Sequence, residues 1–303
     1  MSMQYHLNGF KPGNYEVLDE ARKPYPNPPI EDLPSEVDVL IVGTGPAGLT
    51  MARQLSVFAD IKTAIVDLMP GPLLFGRADG ISCRTQEIME AFNCSEMVVK
   101  ETYHLMQNTY WEPDPENPQN IRRLYKIDDA RLGLSEFKHG IVNQARLHEL
   151  LADGMANSVT GLKPHYSRKL ISLDIDESLT QDLNAHPITA VFERVDEAGK
   201  GIRETVKARF AVGCDGGRSS VRRNLGIELQ GDSANKAWGV MDILLNTDFP
   251  NIRVKAFIQS QDHGAVMTIP REGGYLIRFY VELDLLGKDK RAADVALTEK
   301  DLI

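Results

Sequence analysis

Residues 37–43 read VDVLIVG, an apolar run broken only by Asp38 near its start and closed by glycine, and the chain goes straight on into GTGPAG and then LTMARQLSVFA. A strand that is apolar on both faces belongs inside a parallel sheet covered by helices. Leu49, Ala52, Leu55 and Phe58 then recur at helical spacing, and KTAIVD supplies a second strand, so residues 37–67 have the length and order of a βαβ unit. Gly43-Thr44-Gly45-Pro46-Ala47-Gly48 fits the spacing G-x-G-x-x-G at the strand-to-helix junction. Glycines there let the main chain turn sharply and approach a pyrophosphate, whose charge is met by the free N–H groups of the first helical turn. Gly43, Gly45, Pro46, Ala47 and Gly48 are therefore candidate dinucleotide-binding positions. Asp67 closes the second strand, where a carboxylate accepts hydrogen bonds from ribose hydroxyls. This unit alone leaves a flavin and a nicotinamide dinucleotide equally open.

What surrounds the unit sets the rest of the organisation. A chain of 303 residues is long enough for about two domains. The stretch before residue 37 is crowded with X-Pro bonds, as in KPYPNPPIEDLP, and predicts an extended arm over residues 1–36. Strand-like pieces NTYW, RRLYKI and HGIVN precede an amphipathic helix over residues 144–155. SRKLISLDID, PITAVFERV and GIRETVKARFAVGC follow, the last two reading as a hairpin across DEAGKG. From Trp238 onward WGVMDILL, VKAFI, AVMTI and YLIRFYVEL predict a mostly antiparallel sheet. The expected fold is α/β (α+β). A cofactor domain over residues 37–230, interrupted by strands of the second sheet, is followed by that substrate-binding sheet over residues 231–303. KRAADVALTEKDLI reads as a helix with neither cap nor breaker, so the chain is expected to be cut short.

Charge and cysteine content narrow the partners. Lys and Arg total 34 against 43 Asp and Glu, a net charge of −9, which argues against nucleic acid or an anionic membrane as the main partner. No segment reaches the roughly 18 consecutive apolar residues of a membrane helix, and a cytoplasmic setting is expected. Cys83, Cys94 and Cys214 show no C-x-x-C spacing and the histidines no ligand spacing, so neither disulfides nor a metal is expected.

A second motif decides the cofactor. Asp215-Gly216-Gly217-Arg218-Ser219-Ser220-Val221-Arg222 follows the apolar run ARFAVGC and reads D-G-x-x-S-x-x-R at another strand-to-helix junction. With the first motif in order before it, the sequence resembles the FAD-dependent aromatic hydroxylases of the para-hydroxybenzoate hydroxylase fold. GRADGISCRTQEIMEAF, FKHGIVNQARLHELLADGM, GDSANKAWGVMDI and IPREGGYLIRFYVEL resemble the phenol 2-monooxygenase branch, and most of all its members that hydroxylate 3-hydroxybenzoate.

The resemblance implies an FAD-binding, Rossmann-like domain, reduction by NADPH or NADH, molecular oxygen as co-substrate and a phenolic substrate. Asp215 would bind the ribityl chain, Gln144 and Arg146 would contact the flavin, and Arg84 would lie near it. Asp79 would assist ionisation of the substrate phenol, with Tyr280 and Arg271 in the same pocket. An ionised phenol pushes electron density onto its ortho and para carbons, which then attack the activated oxygen. His139 and Lys255 would face the substrate carboxylate, which loses its hydration in an apolar pocket and needs cations there. Related chains continue into a third FAD motif and a thioredoxin-like domain, both absent here, and the full-length parent is expected to form homodimers. The alternatives are a phenol 2-monooxygenase or an inactive FAD-binding remnant.

Overall fold

The computed structural model describes residues 31–285, apart from Phe75, Arg77, Leu132 and residues 232–235, together with two short paired strands, β1 (Tyr5–His6) and β2 (Gly9–Phe10). Most of the Pro-rich arm and the whole of the closing helix expected over residues 290–303 lie outside the described residues.

The βαβ unit forms as its pattern predicts: β3 (Glu36–Val42), α1 (Pro46–Leu55) and β4 (Thr63–Val66), with the two strands parallel. The helix is shorter than its periodicity suggests. It stops at Leu55, and Phe58 stands past its end, 41% exposed, because the Ser56 hydroxyl bonds back to the Arg53 carbonyl and the chain turns there. After β5 (Gly80–Ile81) come α2 (Cys83–Ala91), α3 (Ser95–Glu101), β6 (Tyr103–His104), β7 (Gln107–Pro113), β8 (Ile121–Asp128), β9 (Gly140–Ile141) and α4 (Gln144–Ala156). The chain then forms β10 (Arg168–Ile175), β11 (Ile188–Arg194), β12 (Arg203–Gly213), α5 (Ser220–Asn224), β13 (Lys236–Leu244), β14 (Lys255–Gln259), β15 (Ala265–Pro270) and β16 (Leu276–Leu285).

Three of the sheets position the site. A five-stranded sheet runs β10-β11-β12-β3-β4, with β12, β3 and β4 parallel and the hairpin β11–β12 continuing antiparallel into β10. Val39, Ile41 and Ile65 point to one side of it and pack against Leu49 and Ala52 of α1 and Leu147, Leu151 and Met155 of α4. Leu40, Val42, Ala64 and Val66 point to the other and pack with Leu170, Phe192, Val206 and Ala208. Both faces of β3 are thus buried, which is why its sequence is continuous rather than alternating. Leu40, Ile41 and Ile65 are fully buried, and each side chain so buried contributes about 1.5–3 kcal/mol.

A six-stranded sheet runs β13-β16-β15-β14-β7-β8, so it recruits residues 107–128 as well as the region after residue 236. The small sheet β5-β9-β6 lies against it, with Leu105 and Ile141 packing on Ile269, Met267 and Tyr280.

Candidate functional site

The two glycine motifs meet at the carboxyl ends of adjacent parallel strands. The β12–β3 register carries Gly213 opposite Val42, and the Cys214 N–H donates to the Val42 carbonyl at 2.7 Å. Gly43 has φ +109°, and a Cβ there would come within 2.4 Å of the Cys214 carbonyl oxygen; a Cβ on Gly48 would come within 1.9 Å of the Gly43 oxygen. Only hydrogen fits at either position. Gly45 differs: its nearest such neighbour is 3.8 Å away, so it opens toward free space at the N-cap of α1, with Pro46 and Ala47 beginning the helix. A close-approaching group can use that space.

Asp67 and Asp215 flank this cradle. Asp67 Oδ2 accepts hydrogen bonds from the Thr44 N–H and hydroxyl at 2.5 and 2.7 Å, and Oδ1 accepts from the Met69 N–H at 2.8 Å. In this structure the aspartate braces the glycine loop. Asp215 Oδ2 accepts from the Ser220 N–H and hydroxyl and from the Val221 N–H, fastening the start of α5. Its Oδ1 is buried and makes no hydrogen bond among the described residues. Burial pushes the Asp215 carboxyl up, but hydrogen bonds from Ser219, Ser220 and Val221 more than offset it and hold it below the ordinary carboxylate range. Asp215 is therefore charged, with one oxygen used by the chain and one left to accept from a ligand hydroxyl. A glycine loop open at Gly45 and a buried, unpaired acceptor beside it fit the pyrophosphate and the polyol chain of FAD.

The residues around Asp79 form a second centre. Asp79 precedes β5, is 6% exposed, and its carbonyl accepts from the Val142 N–H at 2.9 Å. Its Oδ2 lies 3.0 Å from Arg278 Nη1 and 3.5 Å from Arg271 Nε, yet no described donor is aimed at it. Arg271 is 1% exposed and pairs with Glu272 at 2.9 Å and Asp242 at 2.7 Å. Arg278 donates to both oxygens of Asp242, at 2.8 and 2.7 Å. Desolvation would lower the Arg278 guanidinium, but Asp242 and Asp79 together raise it, with Tyr280 as a further hydrogen-bond partner. The small sheet and the large one meet at this cluster.

The register of the six-stranded sheet gives that meeting face its composition. Val240, Tyr280, Met267, Phe257 and Tyr110 stand opposite one another in one row across the strands. Side chains two positions along a strand share a face, so Asp242, Arg278, Ile269, Lys255 and Asn108 belong to the same face. Lys255 lies over the Phe257 ring at 5.0 Å. His139 Nδ1 pairs with Asp129 Oδ2 at 3.1 Å, and its Nε2 lies against Gly80, next to Asp79.

Other predicted positions have different surroundings. Gln144 Oε1 accepts from the Ala78 N–H at 3.1 Å, so α4 holds the loop that carries Asp79. Arg146 turns instead toward α3, where it makes two 2.6 Å bonds to Glu101 and one of 2.5 Å to Glu149; Glu101 above all raises its guanidinium despite burial. Arg84 has an 81% exposed side chain and pairs with Glu87 at 2.7 Å. Asp242, Arg278 and Glu272 were not among the sequence candidates. The available signal was a charge set inside an apolar strand, Asp242 in VMDILL and Arg278 in YLIRFYV.

Two glycine-bearing loops at the ends of neighbouring parallel strands, beside a separate sheet with a charged inner face, are the arrangement of a dinucleotide-binding flavoprotein. The chain belongs to the FAD binding domain family, whose model matches residues 36–303. It is 50% identical over 301 residues to 3-hydroxybenzoate 4-monooxygenase of Comamonas testosteroni, a match covering 99% of this chain and 46% of that protein. To phenol 2-monooxygenase fsqG of Aspergillus fumigatus it is 31% identical over 248 residues, covering 82% of this chain and 39% of that one. The chain thus spans about half the length, or less, of these curated relatives.

Among solved structures, p-nitrophenol 4-monooxygenase PnpA from Pseudomonas putida superposes with a TM-score of 0.68 at 17% identity, over 86% of this chain and 60% of that one. The flavin-dependent monooxygenase PieE, solved with FAD and substrate, gives 0.66 at 21% identity, over 85% and 45%. These two establish the fold. No helix among the described residues is long and apolar enough to cross a membrane.

Proposed function

We propose that this chain forms the FAD- and substrate-binding part of an NADPH- or NADH-dependent monooxygenase that converts 3-hydroxybenzoate to 3,4-dihydroxybenzoate. The observation that carries the reading is the Asp79 centre: a buried carboxylate whose Oδ2 receives no directed hydrogen bond among the described residues, on the seam between the cofactor half and the inner face that bears Tyr280 and Lys255. The 50% identity to a 3-hydroxybenzoate 4-monooxygenase supports the choice of substrate.

Gly43, Gly45 and Gly48 would admit the pyrophosphate of FAD, Asp67 would reach its ribose and Asp215 Oδ1 its ribityl hydroxyls. When bound and reduced, FAD supplies the oxygen-activating chemistry. The protein's own part is to orient the ring, hold a proton and keep water away. Asp79 takes up the phenol proton, Tyr280 positions the phenol oxygen, and Lys255 with His139 balances the carboxylate. Phenol itself lacks that carboxylate, so the Lys255 cation and the His139 ring beside it favour the benzoate over plain phenol.

The deciding measurement is hydroxylation by the FAD-loaded chain, with and without Asp79→Asn. The expected outcome is that the variant still oxidises NADPH or NADH when substrate is added, while product yield falls at least about tenfold and hydrogen peroxide accumulates. Equal product yield from both proteins across the pH range would overturn Asp79 as the proton acceptor.

A further inference from the structure

Asp79 does not stand alone. Three carboxylates, Asp79, Asp242 and Glu272, share two guanidinia, Arg271 and Arg278, so the cluster holds one negative charge more than its cations neutralise. The three are not equally committed. Asp242 accepts three charge-assisted hydrogen bonds from the two arginines, and Glu272 accepts two from Arg271. Asp79 Oδ2 has both guanidinia within 3.5 Å and no N–H directed at it. A proton entering the cluster at Asp242 or Glu272 would break directed bonds; at Asp79 Oδ2 it would break none.

Asp242 is the pivot of this arrangement. Its Oδ2 takes Nη1 of Arg271 and Nη2 of Arg278, both at 2.7 Å, which leaves Nη1 of Arg278 facing Asp79 at 3.0 Å, while Nε of Arg271, 3.5 Å from Asp79, gives its one N–H to Glu272. We propose that Asp242 is a positioning residue, which orients Arg271 and Arg278 on Asp79 and sets how readily Asp79 accepts the substrate proton. The proposal rests on the reading of Asp79 as proton acceptor given above. No bond other than O–H is made or broken in the step: the phenol O–H gives its proton to Asp79 Oδ2, and the negative charge moves to the phenol oxygen.

The signs follow from Coulomb's law. Around Asp79 stand Arg271 ahead of the turn Glu272–Gly274, Arg278 and Tyr280 on β16, Glu272 behind Arg271, and His139 with its partner Asp129 beside Gly80. Removing the charge of Asp242 leaves the two guanidinia less compensated, so Asp79 should release its proton more readily and accept one less readily. Removing the charge of Arg278 should act in the opposite direction.

The test is a carboxyl 13C NMR titration of the chain, with the Asp79 signal assigned by its loss in Asp79→Asn, and it requires neither flavin nor substrate. Asp242→Asn should shift the Asp79 titration to lower pH by at least about half a unit, Arg278→Gln should shift it to higher pH, and Asp242→Glu should restore the original midpoint. Opposite shifts distinguish charge control from a packing defect, and if Asp242→Asn does not fold, Arg278→Gln and Asp242→Glu decide. Unmoved midpoints, or shifts of the same sign in Asp242→Asn and Arg278→Gln, would overturn the proposal. Its failure is separable from that of the reading beneath it: shifts as expected, alongside undiminished hydroxylation by Asp79→Asn, would retain the network and discard the base.

Discussion

Single residues in the glycine loop make separable contributions. Gly48 is packed so closely on Gly43 that a methyl group there must displace main chain, whereas Gly45 faces open space. Gly48→Ala is therefore expected to lower thermal stability of the chain even without flavin, and Gly45→Val to leave it within about 0.5 kcal/mol of the parent while abolishing FAD retention. Thermal melts with absorbance at flavin wavelengths check both, and a Gly45→Val protein that keeps its full flavin complement would sink the pyrophosphate assignment. Lys255 carries the corresponding prediction for substrate. Lys255→Met should weaken 3-hydroxybenzoate binding by tenfold or more and phenol binding far less, as read from two pairs of dissociation constants; equal weakening would favour the phenol hydroxylase alternative. The glycine loop was legible in the sequence because main-chain approach demands glycine and a fixed spacing, whereas Asp215 was singled out through the resemblance of its motif. Of the partners of Asp79, the resemblance put Arg271 in its pocket, but Asp242 and Arg278 were not legible, since they converge on it only through strand register, and no local pattern records which strands become neighbours.

At the scale of elements, α4 joins two sites and carries an acid-sensitive residue. Its first residue, Gln144, holds the Asp79 loop, and its inner side packs on the cofactor sheet. His148, on the same helix, is 7% exposed with Nε2 lacking a hydrogen bond among the described residues, and burial pushes it down from 6.5 to about 4. Above pH 6.5 the ring is neutral in both folded and unfolded chains, so the shift has no effect on stability. As pH falls below 6.5 the unfolded chain binds a proton that the folded chain refuses until about 4, and roughly 3 kcal/mol is lost across that window. Urea unfolding of His148→Leu at pH 7 and pH 4.5 is expected to show a smaller loss of stability on acidification than the parent; an identical loss would remove His148 as a cause. The 3.6-residue period made α4 readable to within a residue. It overran α1, where Phe58 keeps the spacing but Ser56 has already turned the chain.

In the whole molecule, the cofactor cradle is built from the ends of β3, β4 and β12, so FAD would tie together three strands that the chain otherwise joins only through hydrogen bonds and packing. A ligand that binds the folded state alone stabilises it by about 2.7 kcal/mol at one hundred times its dissociation constant. Saturating FAD should accordingly raise the melting temperature by several degrees, and NADH or NADPH alone at equal concentration should not; a shift with nicotinamide but not flavin would reverse the cofactor assignment. Parallel pairing of β12 with β3 has one more consequence. Gly43 leaves the ribosome early, but the strand that completes its loop and the aspartate beside it come after most of the described chain. If Asp215 receives the ribityl chain as proposed, a newborn protein that has made only β3, α1 and β4 lacks half of its cradle, and cofactor capture would wait until synthesis has passed residue 221.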